Sequence, residues 1–111
     1  MIRLNDYLSF SANFKELIEK FDLNDRDCRL LEYLAANSLQ GGLCTITELI
    51  YQKQIGSPAV LHSSLKKMIK FGFIYIELNQ EDHRIKYPKL TSKADKFFDE
   101  VLKEFSIKQR R

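Results

Sequence analysis

The chain has 111 residues, is 44% hydrophobic and 30% charged, and carries a formal net charge of +3 at pH 7. That length allows one compact core and is too short for two ordinary domains, and no apolar run approaches the roughly 20 residues of a membrane span. The charge is unevenly placed: between Glu48 and Glu77 there is no acid, while Lys53, Lys66, Lys67 and Lys70 are all basic, so a local cationic patch matters more than the total.

The opening MIRLNDYLSF lacks the apolar core and small-residue cleavage site of a signal peptide, which points to a cytoplasmic protein with no membrane partner. From Asn5 to Phe21, Tyr7, Phe10, Phe14, Leu17 and Phe21 recur at alternating three and four positions, predicting a long amphipathic helix whose stripe is widened by Leu8 and Ile18. A break at DLND offers Asn24 or Asp25 as a cap. Leu30, Leu31, Leu34 and Ala35 then mark a second helix running to about Ser38, before a Gly41-Gly42 turn. Leu43 to Ile46 is a short strand candidate. Thr45 and Glu48 have capping-box spacing, with Thr47 an equal candidate cap, and a short third helix over ELIYQKQ is anchored by Leu49 and Ile50.

Gly56 to Gly72 reads as a helix with two different sides. Gly56 is expected to take a left-handed conformation ending the preceding helix, Ser57 to cap the next one, and Pro58 to occupy its first position, where no N–H is needed. At about 100° per residue, Leu61, Ser64, Leu65 and Met68 fall on one side and Ala59, Ser63, Lys66 and Lys70 on the other, flanked by His62 and Lys67. The first group packs and the second is presented. Gly72 supplies the stop, with Lys66, Lys67 and Lys70 toward the helix end where cations are favoured.

Phe73 to Leu78 is rich in aromatic and β-branched residues, and with the turn NQEDH and Arg84 to Leu90 it predicts a β-hairpin. Pro88 cannot donate to a ladder, so the second strand should lie at an edge or stop pairing there. Thr91 caps a last helix with Ala94, Phe97, Phe98, Val101, Leu102 and Phe105 at helical spacing, and SIKQRR trails off as a basic tail. Cys28 and Cys44 stand on different elements without CxxC spacing or a histidine cluster, so they read as two reduced, partly buried thiols rather than a metal or redox site.

This order of elements is that of a winged helix-turn-helix, mainly α with a small β-hairpin, and the residues resemble the MarR family of transcriptional regulators from about Leu23 to Phe98. Thr45-Ile46-Thr47-Glu48-Leu49 is similar to the family's lead-in to the first helix of the helix-turn-helix, and Ile55-Gly56-Ser57-Pro58-Ala59-Val60 to its turn. Asp82-His83-Arg84, followed by Lys86, Leu90 and Thr91, stands at the spacing of the family's DxR wing, strand and Leu-Thr helix start. The resemblance implies that Asp82 braces the wing, that Arg84 approaches the minor groove, and that Ser57, Ala59, His62 and Ser63 face the major groove. Physical chemistry agrees: a narrow minor groove attracts arginine, an aspartate can hold its fork, and lysines such as Lys66, Lys67, Lys70 and Lys86 neutralise phosphates. Ala94 stands where the family usually has glycine, and the chain is shorter than typical members, nearer in length to regulators of the SarA type.

One domain over 1–111 is expected: an N-terminal dimerisation helix at 1–21, a winged-helix core at 23–90, a C-terminal dimerisation helix at 91–106 and a basic tail at 107–111. The faces formed by Tyr7, Phe10, Phe14, Leu17 and Phe21 and by Phe97, Phe98, Val101, Leu102 and Phe105 have two destinations, the domain's own core and a partner chain, and they exceed what one small core covers, which predicts that both are used and that these residues form a homodimer interface. The leading function is a homodimer binding palindromic double-stranded DNA to regulate transcription, with an unidentified small-molecule effector as a further possible partner. The alternative is a winged helix that binds protein rather than DNA. The residues form no nucleophile–base pair, phosphate loop or metal set, so neither an enzyme nor a cofactor is expected.

Overall fold

The computed structural model describes residues 3–109, with side chains through residue 104. Its elements are α1 (Leu4–Lys20), α2 (Asp25–Leu39), α3 (Ile46–Ile50), α4 (Pro58–Lys70), β1 (Ile74–Leu78), β2 (Lys86–Leu90) and α5 (Ser92–Gln109). The molecule is elongated, 52 × 26 × 23 Å. A winged-helix body of α2, α3, α4 and the hairpin carries a two-helix stalk in which α1 runs antiparallel along α5.

Local chemistry sets the helix limits. Asn24 and Asp27 form a capping box at the start of α2, and Thr45 and Glu48 form another at α3, choosing Thr45 over Thr47 as the cap. Helices α1, α2 and α4 are each followed by a left-handed residue whose own N–H and that of the next residue reach back to the last turn: Asp22 (φ 62°), Gly41 (φ 75°) and Gly72 (φ 84°). Asp22 is the one non-glycine residue with positive φ among those described. Because a side chain in that region is strained, Asp22→Gly is expected to raise stability by about 0.5–1 kcal/mol, measured as a higher urea midpoint at unchanged slope.

The core joins every element. Leu30, Leu31 and Leu34 of α2 meet Leu49, then Leu61, Leu65 and Met68 of α4, with Phe73 and Ile74 below the hairpin and Ala94 and Phe97 from α5. At Ala94, fully buried, the methyl of alanine is accommodated within this cluster. The hairpin pairs Ile74 with Leu90 through Leu78 with Lys86, and Pro88 lies opposite Ile76 in a sheet that has only these two strands among the described residues, so its missing N–H faces no third strand.

Three expectations need correction. Residues 43–46 form no strand, because the Thr45–Glu48 box draws Ile46 into α3 and Cys44 is buried beneath. Helix α3 closes at Ile50, earlier than expected, and Gly56 neither follows it directly nor adopts positive φ. Gly56 is instead required by close approach: a Cβ there would lie 3.2 Å from Arg26 Nε and 3.3 Å from Leu61 Cδ2.

The third correction concerns the aromatic stripes, part of which pack within the chain. Phe97 is buried, its ring 5.3 Å from Phe21 in an edge-on arrangement and 5.7 Å from Phe98, and Phe21 also lies 6.1 Å from Phe73. Phe14, Leu17, Phe98 and Val101 are half-buried against the same core. Phe10 stacks on Phe14 at 6.1 Å. What remains open on the stalk is Leu4, Tyr7 (59% exposed), Leu8 (54%) and Leu102 (62%). The side chain of Phe105 lies outside the described residues. Helix α5 itself continues to Gln109, past the expected end at 106.

Candidate nucleic-acid interface

Helix α4 is placed by its own ends. Ser57, in extended conformation, accepts a hydrogen bond from Val60 N–H, Pro58 fills the first helical position, and Gly72 closes the far end. Leu61, Ser64, Leu65 and Met68 are buried as the periodicity requires, which leaves Ser57, Ala59, His62, Ser63, Lys66 and Lys70 exposed on the outer face. No acid stands in the first turn, so the positive end of the helix dipole is uncompensated there.

Lys67 departs from that set. Its ammonium lies 2.7 Å from Asp27 Oδ2 and 5.9 Å from the Phe71 ring, and its side chain is only 31% exposed. The acid-free stretch of sequence hid this pair, because the carboxylate comes from α2. Lys67 is therefore turned inward, and Lys66 and Lys70 carry the outward charge.

The hairpin tip is built from two aspartate-like turns. Asn79 Oδ1 accepts the N–H groups of Glu81 and Asp82, and its amide donates to Tyr87 Oη at 2.9 Å. Asp82 then grips Arg84 three times at 3.0 Å: Oδ1 accepts from the Arg84 backbone and from Nε, and Oδ2 from Nη2. The fork is bidentate while the arginine stays 90% exposed, so it is oriented without being withdrawn from solvent. Arg84 holds the Asp82 carboxyl below its usual range, chiefly through the side-chain hydrogen bonds, and Asp82 raises Arg84 in turn.

Helix and wing converge on one concave surface. A crevice of about 370 Å³ is lined by Thr45, Thr47, His62, Arg84, Ile85 and Lys86, which brings together residues spread over forty positions of sequence. Thr45 and Thr47 were not singled out for this surface, although the sequence offered them both as capping candidates and as part of the lead-in to the first helix of the helix-turn-helix, and that second place is the signal that could have found them. Arg29 was missed as well. It donates to the Gln54 carbonyl at 2.8 Å and ties the turn between α3 and α4 to α2. Among the described residues no group of three His, Cys, Asp or Glu is placed to hold a metal ion. No described helix is long and apolar enough to cross a membrane.

The two cysteines are buried and unpaired. Burial, reinforced by Glu32, Asp27 and Asp25, pushes Cys28 from 9.0 to about 12, and burial with Glu48 pushes Cys44 to about 11. Folded thiols thus keep protons that unfolded ones release, so stability is full below pH 9.0 and declines as pH rises toward 11 and 12. Urea titrations at pH 8 and pH 10 should show this fall, and iodoacetamide at pH 8 should react slowly until the chain unfolds.

No family model matches the chain, and no curated protein matches it by sequence. Solved structures do. Staphylococcus aureus MepR, crystallised as a complex with DNA, aligns over 96% of this chain and 78% of its own, with 19% identity and a TM-score of 0.77. A putative MarR-like transcription regulator from Bacillus cereus aligns over 94% of this chain and 71% of its own, at 22% identity and a TM-score of 0.62. NadR, solved in complex with 4-hydroxyphenylacetate, aligns over 96% and 72%, at 20% identity and a TM-score of 0.64. Together with the five helices and antiparallel hairpin, these likenesses show that the chain has the winged-helix fold of MarR-type regulators.

Proposed function

We propose that this chain is a cytoplasmic, non-enzymatic transcriptional regulator of MarR type that binds palindromic double-stranded DNA as a homodimer. The observation that carries the reading is the convergence of His62, on the exposed α4 face that also presents Lys66 and Lys70, on the same crevice as Arg84 and Lys86 of the wing. In that arrangement Ser57, Ala59, His62 and Ser63 read base edges in the major groove, Lys66, Lys70 and Lys86 neutralise phosphates, and Asp82 aims Arg84 at the minor groove. The DNA complex of the structurally similar MepR supports the same use of the scaffold. A small-molecule effector is supported by a separate cavity of about 400 Å³ between α2, the hairpin and α5, and by the 4-hydroxyphenylacetate bound to the similar NadR.

Salt-dependent binding to duplex DNA tests the reading. Lys66→Ala and Lys70→Ala should each weaken binding to all sequences alike and lower the magnitude of the log–log salt slope by about 0.9, while Arg84→Ala should cost most on A·T-rich flanks. Selection from a random duplex pool should return a palindrome with half-sites about one turn, ~34 Å, apart. Salt-insensitive or absent duplex binding would reject DNA as the partner and favour a protein-binding winged helix.

A further inference from the structure

Asp27 and Ser64 are the buried polar side chains of the described core, and Asp27 is only 1% exposed. Its carboxylate gathers three donors from two elements. Oδ2 accepts the Asn24 N–H at 3.1 Å and the Lys67 ammonium at 2.7 Å, and Oδ1 accepts a hydrogen bond from the Ser64 hydroxyl. The capping box of α2 needs only the first of these and would work equally well in solvent. The other two reach across to α4.

Ser64 and Lys67 stand three residues apart on α4, one above the other at its inner edge. Apolar packing by Leu61, Leu65 and Met68 is non-directional and tolerates a small roll of the helix, whereas two hydrogen bonds to one fixed carboxylate do not. A roll of α4 would carry His62 away from the crevice it shares with the wing and re-aim the exposed Ala59, Ser63 and Lys66 with it. The same contact cancels the charge of Lys67, a cation that would otherwise add sequence-independent attraction to phosphate.

We propose that Asp27 is a positioning residue for DNA recognition: through Ser64 it fixes the rotation of α4, and through Lys67 it withholds one cation from the phosphate backbone, favouring the specific over the uniform part of binding. This rests on the DNA-binding reading above, so one readout needs no DNA. Acetylation of the folded protein by acetic anhydride, followed by peptide mass spectrometry, should modify Lys67 several-fold more slowly than Lys66 or Lys70, and Asp27→Asn should remove the difference. Equal rates in the unmutated protein would overturn the proposal.

On a mixed-sequence duplex, Asp27→Asn should steepen the log–log salt slope by about 0.9 as Lys67 is released, and Asp27→Asn with Lys67→Gln should return it to the starting value. A role confined to stability would lower the urea midpoint and leave the slope unmoved, which would overturn the proposal. Should Asp27→Asn fail to fold, Lys67→Gln decides: with Asp27 still present, the slope should stay unchanged where Lys66→Gln lowers it by about 0.9, and an equal fall for both would place Lys67 on phosphate and sink the idea. Absence of duplex binding by the unmutated protein would instead reject the functional reading, leaving the acetylation pattern to decide the Asp27–Lys67 pair.

Discussion

Replacing Tyr7 and Leu8 together by glutamate is expected to leave the domain folded, to convert the protein to monomers, and to lower affinity for a palindromic site by about 10²–10⁴-fold. Both side chains are more than half exposed on the outer side of α1, and neither belongs to the buried core, so charging them leaves no carboxylate stranded inside the molecule. Across a two-fold axis they and Leu102 would be covered by their own copies, and four carboxylates would then have to be desolvated at the contact. Two half-site contacts held in one dimer act at high effective concentration, and that gain disappears with the dimer while the weak phosphate affinity of each monomer persists. Sedimentation at micromolar concentration beside binding to whole and half palindromes measures both effects. A monomeric unmutated protein with full affinity for a single half-site would contradict the dimer.

The second large effect lies in the core. Phe97→Ala should destabilise the fold by about 3–5 kcal/mol, a large share of the 5–15 kcal/mol typical of a domain. The ring is almost fully enclosed and packs against Phe21 at the end of α1 and Phe98 of its own helix within the common core, so its neighbours have little freedom to collapse into the space. Urea denaturation at two protein concentrations separates a core role from an interface role. Loss of a core ring lowers the midpoint equally at both concentrations, whereas loss of an interface ring is felt more strongly in the dilute sample.

The contrast between these residues shows what the sequence could and could not convey. Periodicity placed Leu61, Ser64, Leu65 and Met68 inside and Lys66 and Lys70 outside, because those assignments depend on one helix alone. Capping chemistry located Ser57 and the Gly72 stop and narrowed the start of α2 to Asn24 or Asp25 for the same reason, and the Asp82–Arg84 fork was legible because the two residues are near neighbours in the chain. Phe21 and Phe97 belonged to stripes that also contain Tyr7 and Leu102, and nothing along a single helix tells which part of a stripe meets the same chain and which meets solvent. The Asp27–Lys67 pair spans forty positions and arises only when α2 and α4 pack. Gly56 was recognised as special, but for a torsion angle, when the cause is the side chain of Arg26 arriving from another helix.

The stalk has a consequence for descent. Helix α1 meets the rest of the molecule chiefly along α5 and, at its end, through Phe21, while Leu4, Tyr7 and Leu8 touch little of their own chain. The first two turns of α1 are therefore free to drift without disturbing the body or the surface that α4 and the wing share. In the proposed dimer, exchanges at Tyr7 and Leu8 alone would, after a gene duplication, stop the two copies from mixing subunits while both kept the same α4 and wing surface. On that reading, the outward turns of α1 are where one copy can be insulated from another.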